Sequence, residues 1–331
     1  MRVVQVGYGY WGANIANKLL RSSKFELVAV CDITPQLQVK ARVAMSESVV
    51  VSEDYHRFLE DDSIAGFIIA TQTERSFEIA MNAMSARKHV FIEKPIATTV
   101  ERTQKLNAKA AEMDVILHCD HLLLYNPYYR YIKKLIDSGE LGDLIYVDVQ
   151  KLNLGPIRMD VNALMDLAVH DVAAVDWFSN GKTPKSVTAV GYASVGEQET
   201  LTFLNLKYDS FIVNINSSWI SPVKVRKTIV AGTKKMVIFD DMKSDEKLRV
   251  YDSGIDVVPK EDYNEYAFLT RKGDIHIPQI EFEDSLQNSL EYFENCVVNN
   301  QQSISGPEAS LRVMQILEVA QNDLAQQEKE G

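Results

Sequence analysis

The chain has 331 residues, enough for two domains of ordinary size and a large core. Its formal net charge of −11 disfavours nucleic acid and anionic membrane surfaces, which would repel it at long range, and leaves small molecules as the expected partners. Three cysteines, Cys31, Cys119 and Cys296, lie far apart without a C-x-x-C pair, and no run approaches membrane-spanning length, so the chain reads as cytoplasmic.

Residues 3–6 form an apolar strand that runs into Gly7-Tyr8-Gly9-Tyr10-Trp11-Gly12, a G-x-G-x-x-G turn. Gly7 permits the tight turn, Gly9 lets backbone approach a pyrophosphate, and Gly12 lets the next helix pack on the strand. The helix amides would then face the phosphates. Ile15, Ala16, Leu19 and Leu20 repeat at helical spacing, and residues 25–30 read as a second buried strand ending at Cys31-Asp32. Asp32 stands twenty positions after Gly12, where a carboxylate accepts hydrogen bonds from the adenosine ribose hydroxyls. It would repel a 2′-phosphate, and no Arg follows closely. NAD is the expected cofactor, with NADP use left open.

The alternation continues with a strand at 65–70 and a helix whose Phe77, Ala80, Met81 and Met84 share a face. A strand at 89–92, a helix at 100–113 and a strand at 115–117 complete a doubly wound parallel sheet. Residues 1–119 are thus expected to be a Rossmann, NAD(P)-binding domain. Past Cys119 a helix opens at Pro127 and closes near Gly139, and alternating segments follow at 185–194, 199–208, 211–216, 224–231, 235–240 and 247–251. The pattern at 211–216, with Val213 and Ile215 on one face and two asparagines on the other, predicts a half-buried antiparallel strand. Residues 120–331 are expected to form an α+β domain on a large, open, mostly antiparallel sheet, serving substrate binding and oligomerisation. Two amphipathic helices close the chain.

Glu93-Lys94-Pro95 follows the strand at 89–92, which brings Lys94 to the carboxyl edge of the sheet, where nicotinamide should lie. An ammonium there would hold a substrate hydroxyl and favour a developing alkoxide; a solvated surface lysine is the plain alternative. Asp166 and His170, four apart in a helical pattern over 162–178, are neighbours on one face. A carboxylate beside an imidazole suits His170 to take a proton from an alcohol, against the plain reading of a surface pair. His118 and Asp120 would share a strand face but lack a second ligand group, so no metal is expected.

These segments together resemble the glucose-fructose oxidoreductase/inositol dehydrogenase/MocA (Gfo/Idh/MocA) family of NAD(P)-dependent enzymes, over nearly the whole chain. Tyr125-Asn126-Pro127 adds to the likeness, while Asn153-Leu154-Gly155-Pro156-Ile157-Arg158 and Gly232-Thr233-Lys234-Lys235 resemble its sugar-nucleotide 3-dehydrogenase branch. The resemblance implies Lys94 as the active-site lysine, His170 as the proton acceptor and Asp166 as its companion. It sets Tyr10, Trp11, Thr71, Glu93 and Lys94 beside the dinucleotide, and His121, Tyr125, Asn126, Arg158 and His170 beside substrate. It also implies a homodimer or homotetramer. Four positions depart from the family pattern: Gln72 for proline, Ser76 for histidine, Arg87 for glycine, and Asp120 where Gly or Ala usually precedes the histidine.

The expected function is hydride transfer between a nicotinamide and a secondary alcohol or ketone of a sugar, sugar nucleotide or cyclitol. Glycoside cleavage by transient oxidation and elimination, and a non-catalytic NAD-bound sugar sensor, are the alternatives.

Overall fold

The computed structural model describes residues 1–159, 161–259 and 266–330. They fall into two compact units, Met1–Tyr125 with Glu283–Gln315 and Asn126–Phe282 with Ile316–Gly331.

The first unit is built on six parallel strands: β1 (Arg2–Val6), β2 (Glu26–Cys31), β3 (Val50–Ser52), β4 (Gly66–Ile69), β5 (His89–Ile92) and β6 (Leu117–Cys119). They lie in the order β3-β2-β1-β4-β5-β6 and alternate with α1 (Tyr10–Arg21), α2 (Pro35–Ala44), α3 (Thr73–Ser85) and α4 (Val100–Met113). A sheet covered on both faces needs nearly continuous apolar strands, and Val3, Val4, Ile68, Ile69, Phe91 and Ile92 are all fully buried. Helix α1 buries Ile15, Ala16 and Leu19 and carries Lys18 and Arg21 in its last turn, against the negative end of its dipole. The last strand sits two residues later than the apolar run at 115–117 suggests.

The second unit opens with α5 (Pro127–Asp137) and continues through β7 (Leu144–Leu154), α6 (Val169–Phe178), β8 (Ser186–Tyr192), β9 (Leu201–Lys207) and β10 (Ile212–Ser218). Strands β11 (Ile220–Gly232), β12 (Met236–Asp240), β13 (Leu248–Pro259) and β14 (Tyr266–His276) complete an eight-stranded sheet in the order β14-β13-β12-β11-β7-β10-β9-β8. The sheet is mostly antiparallel. Its exception involves the strand expected to be antiparallel at 211–216: β10 pairs antiparallel with β9 but parallel with β7. On one face Val147, Val149, Leu204, Leu206, Val213 and Ile215 are buried. Helices α5 and α6 belong to that core, with the Tyr129 and Phe178 rings 5.8 Å apart and the Tyr129 hydroxyl 2.8 Å from Thr228 Oγ1. Val190, Tyr192, Phe203 and Ile212 are exposed on the other face, as period-two alternation requires.

Two helices end the chain, α7 (Ser285–Val298) and α8 (Pro307–Glu330). Helix α7 returns to the first unit, where Leu286, Leu290, Phe293 and Cys296 join Ile15, Leu19 and Phe91 in one apolar cluster. Burying each large side chain there contributes about 1.5–3 kcal/mol. Asp284 starts the helix by accepting a hydrogen bond from Gln287 N at 3.0 Å. Among the described residues no helix is long and apolar enough to cross a membrane.

Candidate active site

The glycine turn is shaped by contacts that leave no room for side chains. Gly7 has φ of +99°, and a Cβ there would stand 2.2 Å from the Ala70 carbonyl oxygen. At Gly12 it would stand 2.3 Å from the Gly7 carbonyl oxygen. Gln5, fully buried in an otherwise apolar strand, donates through Nε2 to the carbonyls of both Gly7 and Gly12 at 2.8 Å. The sequence reading missed this residue, although a glutamine among valines was its signal.

Gly9 is different, because beyond its chain neighbours a Cβ there would meet nothing among the described residues within 4 Å. Its bareness therefore serves no packing need among those residues. This suits a backbone that must lie against a pyrophosphate at the start of α1. Asp32 completes the cradle. Its Oδ2 accepts from Tyr8 N at 2.7 Å and its Oδ1 from Thr34 N at 2.8 Å. A carboxylate has about four acceptor positions, so ribose hydroxyls can still be received. The residues present fit NAD. Gly9→Ala is expected to leave the thermal midpoint nearly unchanged while weakening NAD binding about tenfold or more, roughly 1.4 kcal/mol or more, as measured by calorimetry.

The carboxyl edge of the sheet gathers further polar groups. Thr71 Oγ1 lies 2.9 Å from Ser76 Oγ, so the buried serine is tied to the end of β4. Tyr10 is exposed at the head of α1, and Trp11 Nε1 donates to Glu93 Oε1. Asp120 and His121 follow β6 and are buried. Desolvation and the Asp120 carboxylate push the Glu93 carboxyl well above the usual range. Desolvation raises Asp120 to about 6 against the pull of Ser289, Glu93 and Lys94. His121 is held down at about 4 by desolvation and the Lys94 ammonium, and neither ring nitrogen has a hydrogen-bond partner among the described residues. Lys94 thus stands within electrostatic reach of two carboxyls and an uncharged imidazole.

His118 is a core histidine. Its ring stacks on Phe91 at 4.9 Å, Nδ1 lies 2.9 Å from Ser303 Oγ, and Nε2 lies 3.1 Å from Ser289 Oγ. Desolvation first, then His121, lowers its pKa to about 3. Tyr125 is buried with its hydroxyl 2.7 Å from Ser305 Oγ, and Asn126 uses Oδ1 to cap α5 through Tyr128 N at 3.0 Å.

In the second unit a wide π-helical turn, Leu164–Ala168, leads into α6 where a plain helix was expected over 162–178. His170 is half-buried in the first turn of α6. Beside it, Asp171 is buried and pairs with Lys151 of β7 at 2.9 Å, which pins that turn to the sheet. Asp166 accepts from the Arg158 guanidinium at 3.3 Å, so two residues expected to serve separately are joined.

The family model described as the oxidoreductase family with an NAD-binding Rossmann fold matches residues 1–121, and the GFO/IDH/MocA C-terminal domain matches residues 129–238. The chain belongs to the Gfo/Idh/MocA family. Its first unit is an NAD-binding Rossmann domain. An inositol 2-dehydrogenase/D-chiro-inositol 3-dehydrogenase of Lactiplantibacillus plantarum is 27% identical over 185 residues, 53% of this chain and 51% of that protein. The chain thus spans about half the length of the inositol dehydrogenases it matches. The uncharacterized oxidoreductase YrbE of Bacillus subtilis is 23% identical over 97% of this chain and 93% of its own. The UDP-N-acetylglucosamine 3-dehydrogenase GnnA of Acidithiobacillus ferrooxidans shares the fold, with a TM-score of 0.81 at 21% identity, covering 98% of this chain and 97% of that one.

Proposed function

We propose that this member of the family is an NAD-dependent dehydrogenase acting on a secondary alcohol of a sugar, sugar nucleotide or cyclitol. The observation that carries the reading is the cradle at the carboxyl edge of the parallel sheet: an unfilled Gly9, an Asp32 with acceptor capacity to spare, and a lysine two residues past β5. The names of relatives, an inositol dehydrogenase and a UDP-sugar 3-dehydrogenase among them, support the substrate class.

When bound, NAD supplies the hydride acceptor. Gly9 backbone and the first amides of α1 hold its phosphates, and Asp32 holds the adenosine ribose. Lys94 orients the substrate oxygen and stabilises its developing negative charge. His170 takes the hydroxyl proton on a ring nitrogen, and Asp166, itself held by Arg158, supports the imidazole electrostatically. Self-association through the open face carrying Val190, Phe203 and Ile212 belongs to the same reading.

The test is to offer NAD or NADP with a panel of inositols, free sugars and UDP-sugars and follow reduced-nicotinamide absorbance. Net reduction with one class, lost in His170→Ala, is the expected result. Tight NAD binding with no net reduction across the panel would instead favour transient oxidation with elimination, or a sensor.

A further inference from the structure

Strands β5 and β6 are in parallel register with Ile92 opposite Cys119, so the next residue on each, Glu93 and Asp120, emerges side by side. The backbone fixes this: Asp120 N donates to the Ile92 carbonyl at 2.9 Å, and Glu93 N donates to that of Ile69 at 2.9 Å. Asp120 is fully buried, and its Oδ1 accepts from Ser289 Oγ at 2.6 Å. Oδ2 is also buried, and no N–H or hydroxyl among the described residues donates to it. The group that can satisfy it is the Glu93 carboxyl, if that carboxyl carries a proton.

The hydrogen-bond directions then follow. Ser289 gives its proton to Asp120, so it must accept from His118 Nε2–H, and His118 Nδ1 in turn accepts from the Ser303 hydroxyl. Every donor in this line points toward Asp120. Trp11 Nε1–H completes the shell by donating to Glu93.

We propose that Glu93 and Asp120 form a carboxyl pair sharing one proton, and that through this pair Asp120 is a positioning residue for Lys94. This rests on the dehydrogenase reading for its kinetic consequence alone. Two neighbouring carboxylates in a desolvated setting do not both ionise at neutral pH, so the pair carries one negative charge there. That charge holds the ammonium in place without being cancelled by a second proton or doubled by loss of the first. Among the described residues the charged and titratable groups around the pair are Lys94 from its own segment, Cys119 and His121 from the β6 segment, His118 beyond Ser289, and Tyr125, whose buried phenol is pushed up and stays neutral; Trp11 and Ser289 contribute neutral donors. Cys119 and the histidines are uncharged at neutral pH, with the thiol pushed up and the imidazoles held down.

Acid should add a second proton near pH 6, where Asp120 titrates. Because its folded pKa is raised, its contribution to stability is full in acid and lost as pH rises through about 6. Asp120→Asn should therefore gain thermal midpoint relative to the parent as pH rises through that range.

Infrared spectroscopy of the holoprotein decides the pairing without any substrate. A carboxylic-acid C=O band is expected at neutral pH, lost in Glu93→Gln and shifted in frequency in Asp120→Asn, where burial keeps Glu93 protonated but its carboxylate acceptor is gone. Absence of the band in the parent, or a band unshifted in Asp120→Asn, would overturn the pair. Once a substrate is found, kcat/KM should fall on the acid side with an inflection that Asp120→Asn removes. Ser289→Ala, which takes one hydrogen bond from the ionised form, should move that inflection to higher pH with the band retained. An inflection unmoved by both variants would overturn the link to Lys94. A failed substrate panel beside a positive infrared result would count against the dehydrogenase reading and leave the pair standing.

Discussion

Lys94→Ala is expected to lower kcat/KM by about 10²–10⁴ while leaving NAD affinity largely intact. The lysine is the second residue past β5, and Glu93 before it is tied to the sheet through its N–H to the Ile69 carbonyl, so Lys94 stands close to the carboxyl edge. An ammonium that meets the substrate oxygen mainly as charge develops there acts on the transition state more than on bound substrate. The loss should therefore fall on kcat and spare KM. Arginine should not substitute, because a planar fork is a different donor from a compact ammonium. A small primary amine added to Lys94→Ala should restore part of the rate. Turnover equal to the parent's would remove Lys94 from the mechanism, and calorimetry with NAD separates that outcome from a lost cofactor.

Gly7→Ala should damage the fold itself, by roughly 2–5 kcal/mol, the sum of a left-handed backbone penalty and an overpacking cost. The added methyl would stand 2.2 Å from the Ala70 carbonyl oxygen and 2.9 Å from Thr71 Cγ2. The first obstacle is backbone of β4's end and cannot rotate away. Thermal unfolding should show a drop of several degrees, on the order of 2–4 °C per kcal/mol for chains of 150–250 residues. The comparison with Gly9→Ala is the informative part. Two glycines of one motif should separate cleanly, one needed by the protein and one by its cofactor, and a matching loss of stability in both would undo that division.

The parallel sheet was legible because its signals are local. Glycines, a buried helix face and a carboxylate all occur within a single strand-helix-strand stretch ending at Asp32. Short or polar strands were not. Strand β3 has three residues, too few for a period, and β14 carries Arg271, Lys272 and Asp274 between its apolar positions. Strand β7 lies in the middle of its sheet yet includes Asp148 and Lys151, the latter reserved for Asp171. The companionship of Glu93 with Asp120 was hidden for another reason: only the β5–β6 register makes residues 27 positions apart adjacent. Asp120 had been visible as an oddity, a carboxylate where a small residue is usual, but its partner Ser289 comes from α7, near the other end of the chain. Local chemistry shows in a sequence, whereas neighbours made by pairing do not.

Asp32 also bears on attempts to redesign cofactor choice. The carboxylate that would reject a 2′-phosphate is at the same time a brace, joining Tyr8 N in the glycine turn to Thr34 N beyond β2. Truncating it to admit the phosphate would release both amides at once, loosening the turn that must receive either dinucleotide. A successful exchange of preference would have to supply a new acceptor for Tyr8 N along with the room and positive charge for the extra phosphate. Selectivity and rigidity are here vested in one side chain, so they have to be re-engineered together.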